Sequence, residues 1–141
     1  MKPHGSSIDF SEERAHDLYR QYRRCLANVR YIRMHEIFRM VVDSPAPRFY
    51  VSKIHATNII SCLMRGKPLF KMRGPKREMF EEILRRSNIL RSTHPDWTLS
   101  DIVEEVIWQP APKFYLSPSS AKIYINRLRK NICKQSLKKM K

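Results

Sequence analysis

Pro45-Ala46-Pro47-Arg48-Phe49-Tyr50-Val51-Ser52 returns 65 residues later as Pro110-Ala111-Pro112-Lys113-Phe114-Tyr115-Leu116-Ser117. Extending that shift without gaps over 37–66 against 102–131 keeps 11 of 30 positions identical, including Ile37, Val41, Ala56, Ile60 and Leu63 outside the octapeptide. Unrelated stretches of ordinary composition share roughly two in that length. An internal duplication is the expected source of the match.

Each copy reads as three helices. Ser11, followed by Glu12 and Glu13, reads as an N-cap with acids in the first turn, and Ala15, Leu18, Tyr22 and Cys25 follow at helical spacing. A second helix is expected over 30–43, with Ile37, Phe38, Val41 and Val42 inward. The Pro45–Tyr50 segment breaks it, because each proline disfavours helix at the residue before it. Ser52 then caps a third helix with an inward stripe of Ala56, Ile59, Ile60 and Leu63, which Gly66 ends and Pro68 keeps from resuming.

The second copy repeats the plan. Pro75 opens a helix with Phe80, Ile83, Leu84 and Leu90 inward, closed by His94-Pro95-Asp96. Thr98 with Asp101 resembles a capping box for a helix running to about Trp108. Ser117-Pro118 starts a third helix with Ala121, Tyr124, Ile125 and Leu128 inward. The expected fold class is all-α, as two tandem three-helix units: a flexible N-terminus at 1–10, repeat one at 11–73, repeat two at 74–133 and a basic tail at 134–141.

One ring of each pair, Phe49-Tyr50 and Phe114-Tyr115, is expected to plug the core, with the tyrosine hydroxyl tied to backbone; the alternative is stacking on exposed bases. Trp97 and Trp108, at helix boundaries, are expected in the core or as staples. Cys25, Cys62 and Cys133 stand far apart with no metal-binding spacing and read as small buried hydrophobes in a reducing compartment.

The 141 residues carry 28 Lys+Arg against 13 Asp+Glu, a formal charge of +15. That excess favours a polyanionic partner, while 42% hydrophobic residues argue for a folded domain rather than a basic tail. The charge is segregated. No acid occurs between Asp43 and Glu78, and none follows Glu105, so both acid-free stretches run through the third helix of a copy. The halves are evenly basic: 1–74 carry 14 bases and 6 acids, 75–141 carry 14 and 7, and neither copy reads as a passive spacer.

Ser117-Pro-Ser-Ser-Ala-Lys-Ile-Tyr-Ile-Asn-Arg-Leu-Arg-Lys130 resembles the recognition helix of response-regulator and sigma-factor helix-turn-helix domains. Ser117, Ser120, Ala121, Lys122, Ile125 and Leu128 occupy its capping, small, basic and apolar positions. The resemblance implies two helix-turn-helix-like units, each inserting its third helix into a DNA major groove. It implies Ser119, Ser120, Lys122 and Asn126 facing bases, with Arg127, Arg129 and Lys130 toward phosphates. Carried through the repeat, Lys53, His55, Thr57, Asn58 and Ser61 would face bases, and Arg65 and Lys67 phosphates. Arg48 and Lys113, in the connections, join the phosphate set. Those connections run to some eight residues where a helix-turn-helix has three or four. The octapeptide itself is similar to an element of small basic bacterial proteins without an assigned activity.

Nothing in the sequence reads as a catalytic centre. His4, His16, His35, His55 and His94 form no metal-binding spacing, and no Gly-rich phosphate loop or nucleophile elbow is present. The expected protein is therefore non-catalytic, without cofactor or metal. It is read as cytoplasmic and nucleoid-associated, a bacterial transcriptional regulator or a mobile-element or nucleoid accessory factor. Its expected partner is nucleic acid, duplex DNA before RNA, and no membrane. An RNA-binding nucleoprotein factor and an adaptor docking an acidic protein are the alternatives.

Overall fold

Pro45, Pro47, Pro110 and Pro112 deny helix to their neighbours, and both proline segments run as extended crossings between helices. The computed structural model describes residues 7–28, 33–67, 72 and 74–139. Six helices follow one another: α1 Ser7–Ala27, α2 Met34–Val42, α3 Lys53–Met64, α4 Gly74–Thr93, α5 Leu99–Ile107 and α6 Pro118–Lys139. Among the described residues there is no strand, only an isolated antiparallel bridge between Ala46 and Ala111.

That bridge is the crossing point. Ala46 N–H donates to the Ala111 carbonyl and Ala111 N–H to that of Ala46, both at 2.9 Å. Phe49 N–H donates to Ile107 O at 3.0 Å, and Phe114 N–H to Val42 O at 2.9 Å. Each bond recurs with the two segments exchanged and the numbers moved by 65. Each crossing is thereby tied to the end of the other segment's preceding helix.

The helix packing follows from the crossing. α1 lies against α2, and α4 against α5. α3, however, packs on α4 and α5, and α6 on α1 and α2; α3 makes no packing contact with α1 or α2 among the described residues. The expected units 11–73 and 74–133 follow chain order, whereas the spatial groups are α1, α2 and α6 on one side and α3, α4 and α5 on the other. A connection of some ten residues is long enough to reach the far half, and its apolar rings give it reason to.

Phe49, Tyr50, Phe114 and Tyr115 are all buried between the groups. Phe49 stacks on Tyr115 with centroids 5.9 Å apart, and Tyr50 on Phe114 at 6.0 Å. Fully burying each ring is worth about 2–3 kcal/mol, enough to fix the route of the chain. All four rings are thus internal. The tyrosine hydroxyl is not tied to backbone as expected: Tyr50 donates to the Asp17 carboxylate at 2.5 Å. Tyr115 sits at φ +56°, in the left-handed region that a non-glycine residue enters at a cost. Its ring is held there by Phe49.

The helix ends are mostly where the sequence puts them. Ser52 accepts from His55 N–H at 3.1 Å, Thr98 from Asp101 N–H at 3.2 Å, and Ser117 from Ser120 N–H at 3.2 Å. Gly66, at φ +80°, closes α3, its N–H bonded to Leu63 O and that of Lys67 to Cys62 O. Pro68 and residues 30–32 of the expected second helix lie outside the described residues, as do 1–6 and 140–141.

Three expectations fail. Ser11 is inside α1 rather than its cap, because the helix extends back through Phe10, which packs on the core. Residues 7–10 therefore belong to that helix and not to a flexible N-terminus. Trp97 and Trp108 are 40% and 59% exposed; His94 covers Trp97 at 4.0 Å, and the Arg48 guanidinium lies 3.8 Å from the Trp108 ring. Cys25 is buried, but Cys62 is half-buried and Cys133 is exposed, since position 133 falls off the inward stripe of α6.

Candidate nucleic-acid interface

α6 buries Ala121 and Ile125 completely and half-buries Tyr124 and Leu128. At 100° per residue, the opposite strip is Ser119, Ile123, Asn126, Lys130 and Lys134, flanked by Lys122 and Arg127. The helix contains no acid. Lys122, Arg127, Lys130 and Lys134 are exposed and carry no ion pair to a described residue. Arg129 is exposed with its guanidinium 5.9 Å from the Tyr22 ring. Exposed Ile123 sits among these cations.

The site residues read from the sequence divide on this frame. Ser119 and Lys122 are exposed and Asn126 half-buried on the outer side. Ser120 is turned inward and half-buried, its hydroxyl accepting from Ser117 Oγ at 2.9 Å. It belongs to the helix cap, which corrects its base-facing role.

The outer strip of α3 is Ile54, Asn58, Ser61 and Arg65, so of the five base-facing candidates there Asn58 and Ser61 lie on it and Lys53, His55 and Thr57 do not. Lys53 is paired with Glu104 of α5 at 2.9 Å, and that hydrogen bond holds its ammonium above the ordinary value. The Thr57 hydroxyl is enclosed and unpartnered. His55 sets its ring edge-on to Phe80 at 5.6 Å; burial first, then the charge of Lys76, pushes its pKa down. Lys53 and Thr57 face neighbouring helices, which corrects their base-facing role, whereas His55 is exposed beside Phe80 of α4 and off the outer strip.

Among the phosphate candidates, Arg65 and Lys67 are exposed, with Arg65 folded back on Ser61 Oγ at 2.9 Å. Arg48 is corrected. It is 5% exposed, bonded to Glu13 at 3.3 Å and layered between Phe10 and Trp108, so no phosphate reaches it. Desolvation pulls its pKa down and Glu13 opposes the shift. Lys113 occupies the matching place, bonded to Glu78 and 5.5 Å from the Tyr115 ring. Arg48 and Lys113 lock the crossings to α1 and α4.

The structure adds cations from α1. Arg20, Arg23 and Arg24, with His16 and Tyr19, line a depression that reaches Ile132 of α6. Arg20 is paired with Asp17 at 3.3 Å, whereas Arg23 and Arg24 have no ion pair to a described residue. The Arg20-x-x-Arg23-Arg24 spacing marks one helix face in the sequence. It is hidden by a search confined to acid-free stretches, because α1 also carries Glu12, Glu13 and Asp17.

Among the described residues no group of three or more His, Cys, Asp or Glu is placed to hold a metal ion. No described helix is long and apolar enough to cross a membrane. No protein-family model, curated protein or solved structure matches the chain significantly.

Proposed function

We propose that the chain is a non-catalytic nucleic-acid-binding protein that lays the outer face of α6, with the arginines of α1, on duplex DNA. The observation carrying this reading is the cationic strip of α6, a helix that contains no acid and whose described lysines and arginines make no ion pair with a described residue. Lys122, Asn126 and Ser119 face the bases in this reading; Arg127, Arg129, Lys130, Arg23 and Arg24 face phosphates. Ile123 offers an apolar contact of the kind a thymine methyl takes. α3 plays the lesser part, through Asn58, Arg65 and Lys67.

The finer fold belongs to the same proposal. The two groups are helix-turn-helix-like units that arose by duplication and exchanged their third helices, so the long connection serves as a bridge instead of a tight turn. The reciprocal backbone bonds, together with Arg48–Glu13 and Lys113–Glu78, support it. A regulatory or architectural role at the bacterial nucleoid follows from this reading.

The test is retention of random duplexes, single strands and structured RNA at two salt concentrations, with sequencing of the retained duplexes. Six to eight neutralised phosphates give a slope of log K against log salt of about −5 to −7. Lys130→Ala weakens all duplexes alike, whereas Lys122→Ala changes the enriched sequence. Preferential retention of RNA, or equal effects of both variants on every sequence, overturns groove reading.

A further inference from the structure

Where the two crossing segments meet α1, α3, α4 and α6 there is a cavity of about 620 Å³, within the size range of small-molecule sites. Tyr50, Phe80, Phe114 and Tyr124 give it an aromatic wall. Arg14, His55 and Lys76 also line it, and no carboxylate does among the described side chains. Two acids of α1 are already engaged, Glu13 by Arg48 and Asp17 by Tyr50 and Arg20. Arg14 lies with its guanidinium 4.9 Å from the Tyr124 ring, and its Nε is enclosed without a hydrogen-bond partner. Lys76 is exposed and makes no ion pair with a described residue.

We propose that this cavity binds a small organic anion with an aromatic or aliphatic body, its charged group drawn to Arg14 and Lys76 and its body against the rings. A guanidinium and an exposed ammonium lining one cavity favour an anionic group there, through charge-assisted bonds. Inorganic phosphate satisfies the cations but leaves the aromatic wall unused. A neutral apolar molecule uses the wall and leaves Arg14 unpaired. Only an amphiphilic anion answers both. The site does not depend on the reading of α6 as a nucleic-acid surface. Its walls come from both helix groups, so an occupant touches both.

The probe is 1-anilinonaphthalene-8-sulfonate, titrated into the full chain and followed by fluorescence, with neutral N-phenyl-1-naphthylamine as its uncharged counterpart. Saturable binding at one site per chain is expected. Arg14→Gln and Lys76→Gln each weaken the sulfonate at least fivefold and leave the neutral probe within twofold. Lys130→Gln, on the remote face of α6, changes neither. Lys76 is exposed, so its variant reports even if Arg14→Gln fails to fold. Unsaturable binding overturns the proposal. So does a loss as large for Lys130→Gln as for Lys76→Gln, which assigns the binding to the general positive field.

Discussion

Two tyrosines at matching places in the chain have different partners, and the difference is measurable. The Tyr50 hydroxyl is bonded to Asp17, and burial, reinforced by that bond, pushes its pKa far upward. The Tyr115 hydroxyl makes no hydrogen bond to a described residue; burial, with Glu82 next, pushes it up to about 12. Tyr50→Phe leaves the half-buried Asp17 carboxylate with Arg20 alone and is expected to cost about 1–2 kcal/mol in urea unfolding. Tyr115→Phe keeps the ring packing and is expected to stay within about 0.5 kcal/mol of wild type. Arg48→Ala removes a buried side chain packed between two rings. It is expected to cost about 2 kcal/mol of stability, and the proposed DNA binding is expected to keep its salt slope. A shallower slope would restore Arg48 to the phosphate contacts.

At the scale of the element, the crossing segments are held by side chains of α1 and α4. Arg86 donates to Pro110 O at 2.9 Å and to Glu82 at 2.7 Å, with its guanidinium 5.0 Å from the Phe49 ring. Glu82 also accepts from Arg85, and that bond, ahead of the one from Arg86, holds its carboxyl below the ordinary value of 4.5. A carboxyl depressed on folding adds stability that is present above pH 4.5 and lost as pH falls through the folded value. Glu82→Gln is expected to destabilise by about 1 kcal/mol at pH 7, with the difference from wild type vanishing at an acid pH below the folded value. Chemical unfolding at the two pH values measures it; a difference that persists in acid assigns the effect to packing.

Local signals at this scale were legible in sequence. Ser52, Thr98, Ser117 and Gly66 mark helix ends because capping is decided within four residues. Ala121, Ile125 and their neighbours mark an inward stripe because burial imposes the 3.6 period. Which helix that stripe meets is not a local property. The octapeptide announces a break and two buried rings, and the partner across the break is decided by packing between distant segments. Lys53, His55 and Thr57 show the consequence. Their places on α3 follow from sequence, but their engagement with Glu104, Phe80 and the packed interior depends on α4 and α5 being the neighbours. On α6, Lys122, Lys130 and Arg127 were legible because a solvent-facing strip needs no partner to define it.

For the molecule as a whole, the crossing leaves each half of the sequence without helices it packs against. Residues 1–72 contain α1 and α2 without α6, and α3 without α4 and α5. Neither 1–72 nor 73–141 is expected to melt cooperatively as a monomer, and mixing the two is expected to restore a single transition, read by circular dichroism. A cooperative monomeric transition in either fragment would show that chain-order units suffice. Ile60→Ala and Ile125→Ala, fully buried in α3 and α6, are each expected to cost about 2–4 kcal/mol. Both lower the one shared transition, since each group is closed by a helix from the other half.

The crossing at Ala46 and Ala111 also orders events in time. A ribosome releases α1 and α2 long before α6, and the contacts that cover them are separated by nearly the full chain, an arrangement that slows folding. α3, α4 and α5 are complete once α5 has emerged, so the group made mostly of later residues closes first. α1 and α2 wait, with Leu18, Ile37 and Val41 uncovered, until α6 is free of the tunnel. An apolar surface exposed over that interval is a surface for chaperones, and α1 and α2, though made before the other described helices, are among the last to reach their native packing.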